Sequence, residues 1–345
     1  MNTSTTANSL RTLFVPQMVT ATGEGVDGIL FDAQQMTTAS SSTVDLGDLN
    51  ASTAHWLALP ATQKLAKVQN CILKESSTQL LDLEVRKKLD ATGIQSIPDK
   101  SIADSRISDT EPSPEHLLWD ARRWYLKPVT GQLQNKAARR ATIRALQLVL
   151  EDANPKIIED AIKRDASLTF NILRLANSAF TGLKEPTSSI ADAITIVGRS
   201  PLKRWLNLMV FYSNPFDKRR EMLLSHAAFR AFSLEQLTLK SGGSTQEGEQ
   251  AFLAGMASLM GLLFDLPMSS VLDEMGATSD LRQCVLEHKG KVGQLLHGFE
   301  QVSSGDRSPI IRALVDNEIC AGYWNEVMSE GSIWVHDITH LLRRD

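Results

Sequence analysis

The side chains best suited to chemistry in this sequence are histidines near the end of the chain. His336 and Asp337 form a His-Asp dipeptide, and His340 follows four residues after His336. Two imidazoles at i and i+4 share one helix face and could clip a metal ion. Trp334 and Ile338 are interleaved with them, and only five residues follow His340. The expectation is therefore an amphipathic helix with these histidines on its solvated side. His226, within LLSHAAF, is expected to be a helix residue with a satisfied hydrogen bond. Cys71, Cys284 and Cys320 are far apart and form no CxxC pair, so they read as buried thiols of a reduced protein. No GxSxG elbow, GxxxxGK[ST] loop or GxGxxG turn occurs, and GGSTQEG, from Gly242, reads as a loop between helices. Two basic clusters, Lys136 with Arg139, Arg140 and Arg144, and Lys218 with Arg219 and Arg220, lack the interleaved aromatics that stack on bases. They are expected to be solvated helix faces.

These residues need a scaffold, and 345 residues of which 42% are hydrophobic suffice for one large or two ordinary domains with buried cores. The 36 Lys and Arg against 40 Asp and Glu give a net charge of −4, which leaves no overall basic field for nucleic acid or anionic lipid. The first residues, MNTSTTANSLRTLF, have no apolar run ahead of a cleavage site. No stretch is apolar over the ~20 residues of a membrane span, so the expected location is the cytoplasm.

Two apolar runs, Leu13 to Val19 and Val26 to Phe31, flank TATGEG and predict a hairpin. The Ser/Thr-rich TTASSSTVDLGDLNAST predicts a loop, Lys64 to Leu89 one or two helices, and residues 99–116 another loop. From Gln132 onward the pattern is helical. Ile143, Leu146, Val149 and Leu150 form a stripe, and Asn154 with Pro155 marks a helix start. Asp165 can cap a helix that stops near Gly182, and Ser189 can cap one ending at Gly198. Ser200 can cap the next, opened by Pro201. Further helical patterns cover 218–241, 246–265, 278–302, 307–328 and 332–343.

The segment DASLTFNILRLANSAFTGLKEPTSSIADAITIVGRSPLKRW resembles the signature of HDOD domains over about forty positions. AFLAGMASLMGLLFDLPMSSVLDEM is similar to the subgroup in which such a domain follows an EAL domain, a cyclic-dinucleotide phosphodiesterase fold. PQMVTATGEGVDGILFD is similar to the first EAL hairpin and WYLKPV, residues 124–129, to its last strand. The resemblance implies a mainly α protein: residues 1–130 a small α/β, degenerate and truncated EAL-like region, and residues 131–345 an all-helical, HD-like HDOD domain. The intervening chain is too short for the ~250 residues of an eightfold barrel.

The same resemblance locates what would be catalytic. Gly28 stands where the EAL motif has its metal-binding Glu, and no Asp-Asp dipeptide occurs. Ser258 and Leu259 fill the His-Asp pair of active HD hydrolases, and His226 falls at the first family histidine. Glycine, serine and leucine cannot replace carboxylate and imidazole ligands. Asn177 and Ser178, part of the HDOD signature, are expected to satisfy backbone groups at a helix end. The expectation is a non-catalytic regulatory protein with no catalytic, cofactor-binding or metal residues and no cofactor. It would act through protein partners, with self-association left open and with neither nucleic acid nor membrane. The alternatives are a phosphohydrolase with a rearranged metal site on His226 or on His336 and His340, and a cyclic-dinucleotide sensor that does not cleave.

Overall fold

The computed structural model describes residues 12–20, 28–35, 46–68, 70–74, 79, 81–97, 102–103, 118–120, 136–177, 187–212, 218–304 and 306–343. The hairpin forms as β1 (Thr12–Thr20) and β2 (Gly28–Gln35), antiparallel, with Thr12 opposite Gln35 and Val19 opposite Gly28. Thr12, Leu13 and Phe14 are all buried, so this end of β1 is covered on both faces.

The second half of the Ser/Thr-rich stretch is a helix and not the expected loop: α1 spans Leu46–Ala58. Leu49, Trp56 and Leu57 give it a buried face. The hydroxyl of Thr53, which would otherwise compete with helical bonding, donates to the Leu49 carbonyl one turn back, at 2.7 Å. Lys64 to Leu89 also differs from the reading as helix alone. Between α2 (Pro60–Val68) and α3 (Leu83–Thr92) lies β3 (Asn70–Lys74), which contains Cys71 and pairs parallel with β2, Ile72 opposite Leu30. A run of five residues is too short for periodicity to separate strand from helix.

β4 (Gln95–Ile97), β5 (Ile102–Ala103) and β6 (Leu118–Asp120) complete a mixed sheet in the order β4-β3-β2-β1-β6-β5. Among the described residues no pairing closes this sheet into a barrel. β5 falls within the stretch expected to be a loop, and WYLKPV lies outside the described residues.

The rest is mainly helical. α4 (Lys136–Leu150) buries Ile143, Leu146 and Val149, with Leu150 half-buried. α5 (Pro155–Ile162) opens on the expected cap, Asn154 accepting from the Lys156 amide. Asp165 caps α6 (Ala166–Ala176) through the Leu168 amide at 2.8 Å. That helix ends at Ala176, short of the expected Gly182. α7 (Ile190–Val197) is capped by Ser189 and ended by Gly198 at φ 79°.

α8 (Arg199–Tyr212) already contains Ser200, so this serine is not a cap. Its hydroxyl donates to Glu249 at 2.8 Å. The first helical bond instead runs from the Leu202 amide to the Gly198 carbonyl, which leaves Pro201 where no N–H is needed. α9 (Lys218–Lys240) leads through Gly242, at φ 87°, to α10 (Thr245–Ala257), which begins in a reciprocal Ser244–Glu247 capping box.

Three expected helices are divided differently. The 246–265 pattern breaks after Ala257, giving α10 and α11 (Met260–Phe264), and α12 (Met268–Glu274) follows. The 278–302 pattern breaks at His288, giving α13 (Ser279–Glu287) and α14 (Gly290–Ser304). The last two patterns become α15 (Ser308–Asp316) and one long α16 (Ala321–Arg343). Ser329 and Ser332 are buried inside α16, each donating to the carbonyl four residues back. Among the described residues no single helix is long and apolar enough to cross a membrane.

α16 ties the two ends of the chain together. The Asn325 amide accepts from the Phe14 N–H at 2.7 Å and donates to the Thr12 carbonyl at 2.9 Å, so one side chain serves the edge of β1 as a neighbouring strand would. Trp324 Nε1 donates to the Phe14 carbonyl at 3.1 Å, and Trp56 Nε1 to Ser329 at 2.9 Å. Phe14 stacks on Trp56 with ring centres 4.5 Å apart. These polar contacts are buried, where an unmet partner would cost ~1–3 kcal/mol, and each is met.

Candidate functional site

α9 and α10 pack closely because Gly255 has no side chain. A Cβ there would lie 2.5 Å from the Ala231 Cα and amide nitrogen. This approach brings α9 and the end of α10 side by side.

His226 and Arg230 project one turn apart from α9, and Ser258 ends α10. Arg230 is 4% exposed, and its guanidinium lies 3.3 Å from the Ser258 hydroxyl, which itself donates to the Gly255 carbonyl at 2.7 Å. Leu259 is 2% exposed and forms the joint before α11. His226 is half-buried as a residue, but its Nε2 is fully enclosed. Burial, reinforced by the Arg230 charge, pushes its pKa down to about 3. The imidazole is therefore neutral at ordinary pH beside a fixed cation. Beside that single imidazole the cluster offers an apolar leucine, a hydroxyl already engaged and a guanidinium that has no lone pair to give.

Arg230 is the residue that sequence reading missed. Its spacing of four from His226 was the available signal, since i and i+4 side chains meet on one face.

The other sequence candidates lie elsewhere. His336 is half-buried and Asp337 exposed on α16, and Asp337 pairs with Lys64 of α2 at 3.4 Å. His340 is on the same helix, and its side chain lies outside the described set. Gly28 opens β2, opposite Val19 and Asn70, far along the chain from the helical cluster. Asn177 clasps the backbone of Thr187, donating to its carbonyl and accepting from its amide, both at 2.8 Å. It thus holds the end of α6 to the residues just before α7, whereas the sequence suggested service to a helix end; Ser178 lies outside the described residues. Cys284 and Cys320 are free and half-buried, less enclosed than expected. Arg140 and Arg144 are exposed, and Arg144 donates to Gln147 at 2.8 Å.

The HDOD domain family matches residues 140–285. The protein YuxH of Bacillus subtilis is 26% identical over 162 residues, 46% of this chain and 39% of its own length. The cyclic di-GMP phosphodiesterase CdgJ of Vibrio cholerae is 22% identical over 202 residues, 57% of this chain and 46% of its own. The chain thus spans less than half the length of these curated relatives. No solved structure matches it significantly. From within α4 to the last turn of α13, residues 140–285 of this chain are an HDOD domain.

Proposed function

We propose that this chain is a non-catalytic regulatory protein of signal transduction, acting through protein contacts made by its HDOD domain. In this reading residues 1–130 are a degenerate EAL-like region and residues 131–345 the HDOD unit. The antiparallel hairpin that leads into parallel strands supports the first part. The free thiols of Cys284 and Cys320 fit a reducing cytoplasm.

The observation that carries the reading is the contact of Arg230 with Ser258 beside a neutral His226. Where a hydrolase would hold a cation with imidazole and carboxylate, this chain places its own cation. The test is incubation of the purified chain with cyclic di-GMP and Mg²⁺ or Mn²⁺, with chromatography for linear product. No turnover above the buffer blank is expected. Turnover that His226→Ala abolishes would overturn the reading.

The similarity to CdgJ favours a second reading, a sensor that binds cyclic di-GMP without cleaving it. Calorimetry with that ligand separates the two: saturable heat supports the sensor, and its absence leaves protein contact as the function.

A further inference from the structure

We infer that His288, His297 and Glu300 form a binding site for a divalent transition metal, zinc above all, which joins the end of α13 to α14. The site lies just beyond the segment matched by the HDOD family and is separate from the Arg230–Ser258 cluster, so it stands independently of the proposed function.

Three features bring the donors together. His288 ends α13 in the left-handed conformation, φ 54°, which turns the chain sharply between the helices. A Cβ on Gly293 would lie 2.4 Å from the His288 carbonyl carbon, so only glycine at this position lets α14 lie against that turn. Gly293, His297 and Glu300 then follow at i, i+4 and i+7 along one face of α14.

The donor atoms of the three side chains all lie within 4.8 Å of one another. His288 Nε2 is 2.8 Å from a Glu300 oxygen, and the two imidazole rings are 4.7 Å apart between centres. Nδ1 of His297 is buried and makes no hydrogen bond with the protein. An enclosed imidazole nitrogen without a protein partner, on a ring that faces a carboxylate and a second imidazole, is suited to bind a cation in the tautomer that leaves its lone pair free.

The donor set points to the metal. Two neutral imidazoles and one carboxylate suit zinc or a neighbouring first-row ion better than Mg²⁺ or Ca²⁺, which prefer oxygen. Tetrahedral bonds of ~2.0–2.1 Å to such ligands put donors ~3.3–3.5 Å apart. The His288–Glu300 pair would therefore open slightly while His297 moves in, within the reach of side-chain rotation. The side chains of His288 and Glu300 are 32% and 29% exposed, which leaves a side open for entry and for water as fourth ligand.

The test is equilibrium titration of the chelator-treated full chain with Zn²⁺, read by calorimetry and elemental analysis, with Co²⁺ absorption as a report on geometry. One metal per chain is expected, with tetrahedral Co²⁺ bands and a raised melting temperature. His288→Asn keeps a residue tolerant of the left-handed turn, and Glu300→Gln keeps the side-chain size. Each should weaken binding by more than the ~10–100-fold that losing an outer-shell partner costs, and should abolish the thermal shift. His336→Ala should change nothing. Absence of stoichiometric metal in the wild type would overturn the inference and leave a simple His288–Glu300 hydrogen bond. Binding that survives His288→Asn and Glu300→Gln, or that fails in His336→Ala, would also overturn it.

Discussion

Replacing Asn325 by Asp should unfasten the N-terminal sheet from α16 in a pH-dependent way. The exchange conserves shape but turns the Nδ2 donor, 2.9 Å from the Thr12 carbonyl, into a second oxygen. The bond from the Phe14 amide at 2.7 Å can persist. At neutral pH the variant takes this donor from a buried carbonyl and sets a carboxylate oxygen against it, which costs ~1–3 kcal/mol. It also encloses a charge at a position with no exposed surface, and the combined loss should reach ~3–5 kcal/mol. That is a large share of the ~5–15 kcal/mol by which domains are stable.

The sign with pH follows from the chemistry of the new group. Enclosure raises a carboxyl pKa above its unfolded value of ~3.9. The deficit is thus largest at high pH and shrinks as pH falls through the raised folded value, where a protonated oxygen can donate to Thr12 again. Urea unfolding of the full chain at pH 7.5 and pH 5 measures both quantities, with amide exchange at Phe14 as a local readout. A loss below ~0.5 kcal/mol at pH 7.5, the size of an ordinary surface change, would refute the account. A deficit that does not shrink in acid would refute it as well.

Gly255→Ala should destabilise by ~1–3 kcal/mol or more, because its methyl meets the backbone of Ala231 and α9 must move away. Gly248→Ala, facing the flexible Leu239 side chain at 3.0 Å, should cost less; equal melting temperatures for the two would contradict this packing. His226 has a folded pKa lowered from 6.5 to about 3, so above pH 6.5 both states are neutral and nothing is lost. As pH falls below 6.5 the unfolded state gains a proton first, and stability declines until about pH 3. At ~1.4 kcal/mol per unit the ceiling is ~5 kcal/mol, and about half of that is expected for a half-buried residue. His226→Gln should remove this part of the acid-side decline, and identical pH profiles in denaturant would sink the prediction.

Caps and hairpin were legible because they depend on neighbours in sequence. Asn154 with Pro155, Asp165 and Ser189 each act on an amide two or three residues away, and β1 pairs with the next strand along the chain. The errors arose where distant packing decided. The expected gap at residues 329–331 is filled by α16, inside which Ser329 and Ser332 donate to carbonyls four residues back. The run around Ile72 became a strand because β2 was there to pair with it. At the candidate site the residue types of Ser258 and Leu259 were legible as text. The contact of the Arg230 guanidinium with Ser258 could not be read there, since it joins two helices. His288, His297 and Glu300 look unremarkable as text, because a left-handed turn and a close glycine contact bring them together.

The two clusters illustrate opposite electrostatic choices within one helical array. A divalent ion ~4 Å from the Arg230 guanidinium would be repelled by roughly 8 kcal/mol at an effective dielectric of 20, twice the value for two unit charges. Neither a serine hydroxyl nor a neutral imidazole offsets that. Around His288 the balance reverses: a carboxylate and two imidazoles face one another, and the nearby Lys289 is held by Glu287 at 2.6 Å. A cation there meets one negative charge and two lone pairs. If this chain carries a metal, charge alone directs it to the α13–α14 junction and away from the centre of the HDOD domain.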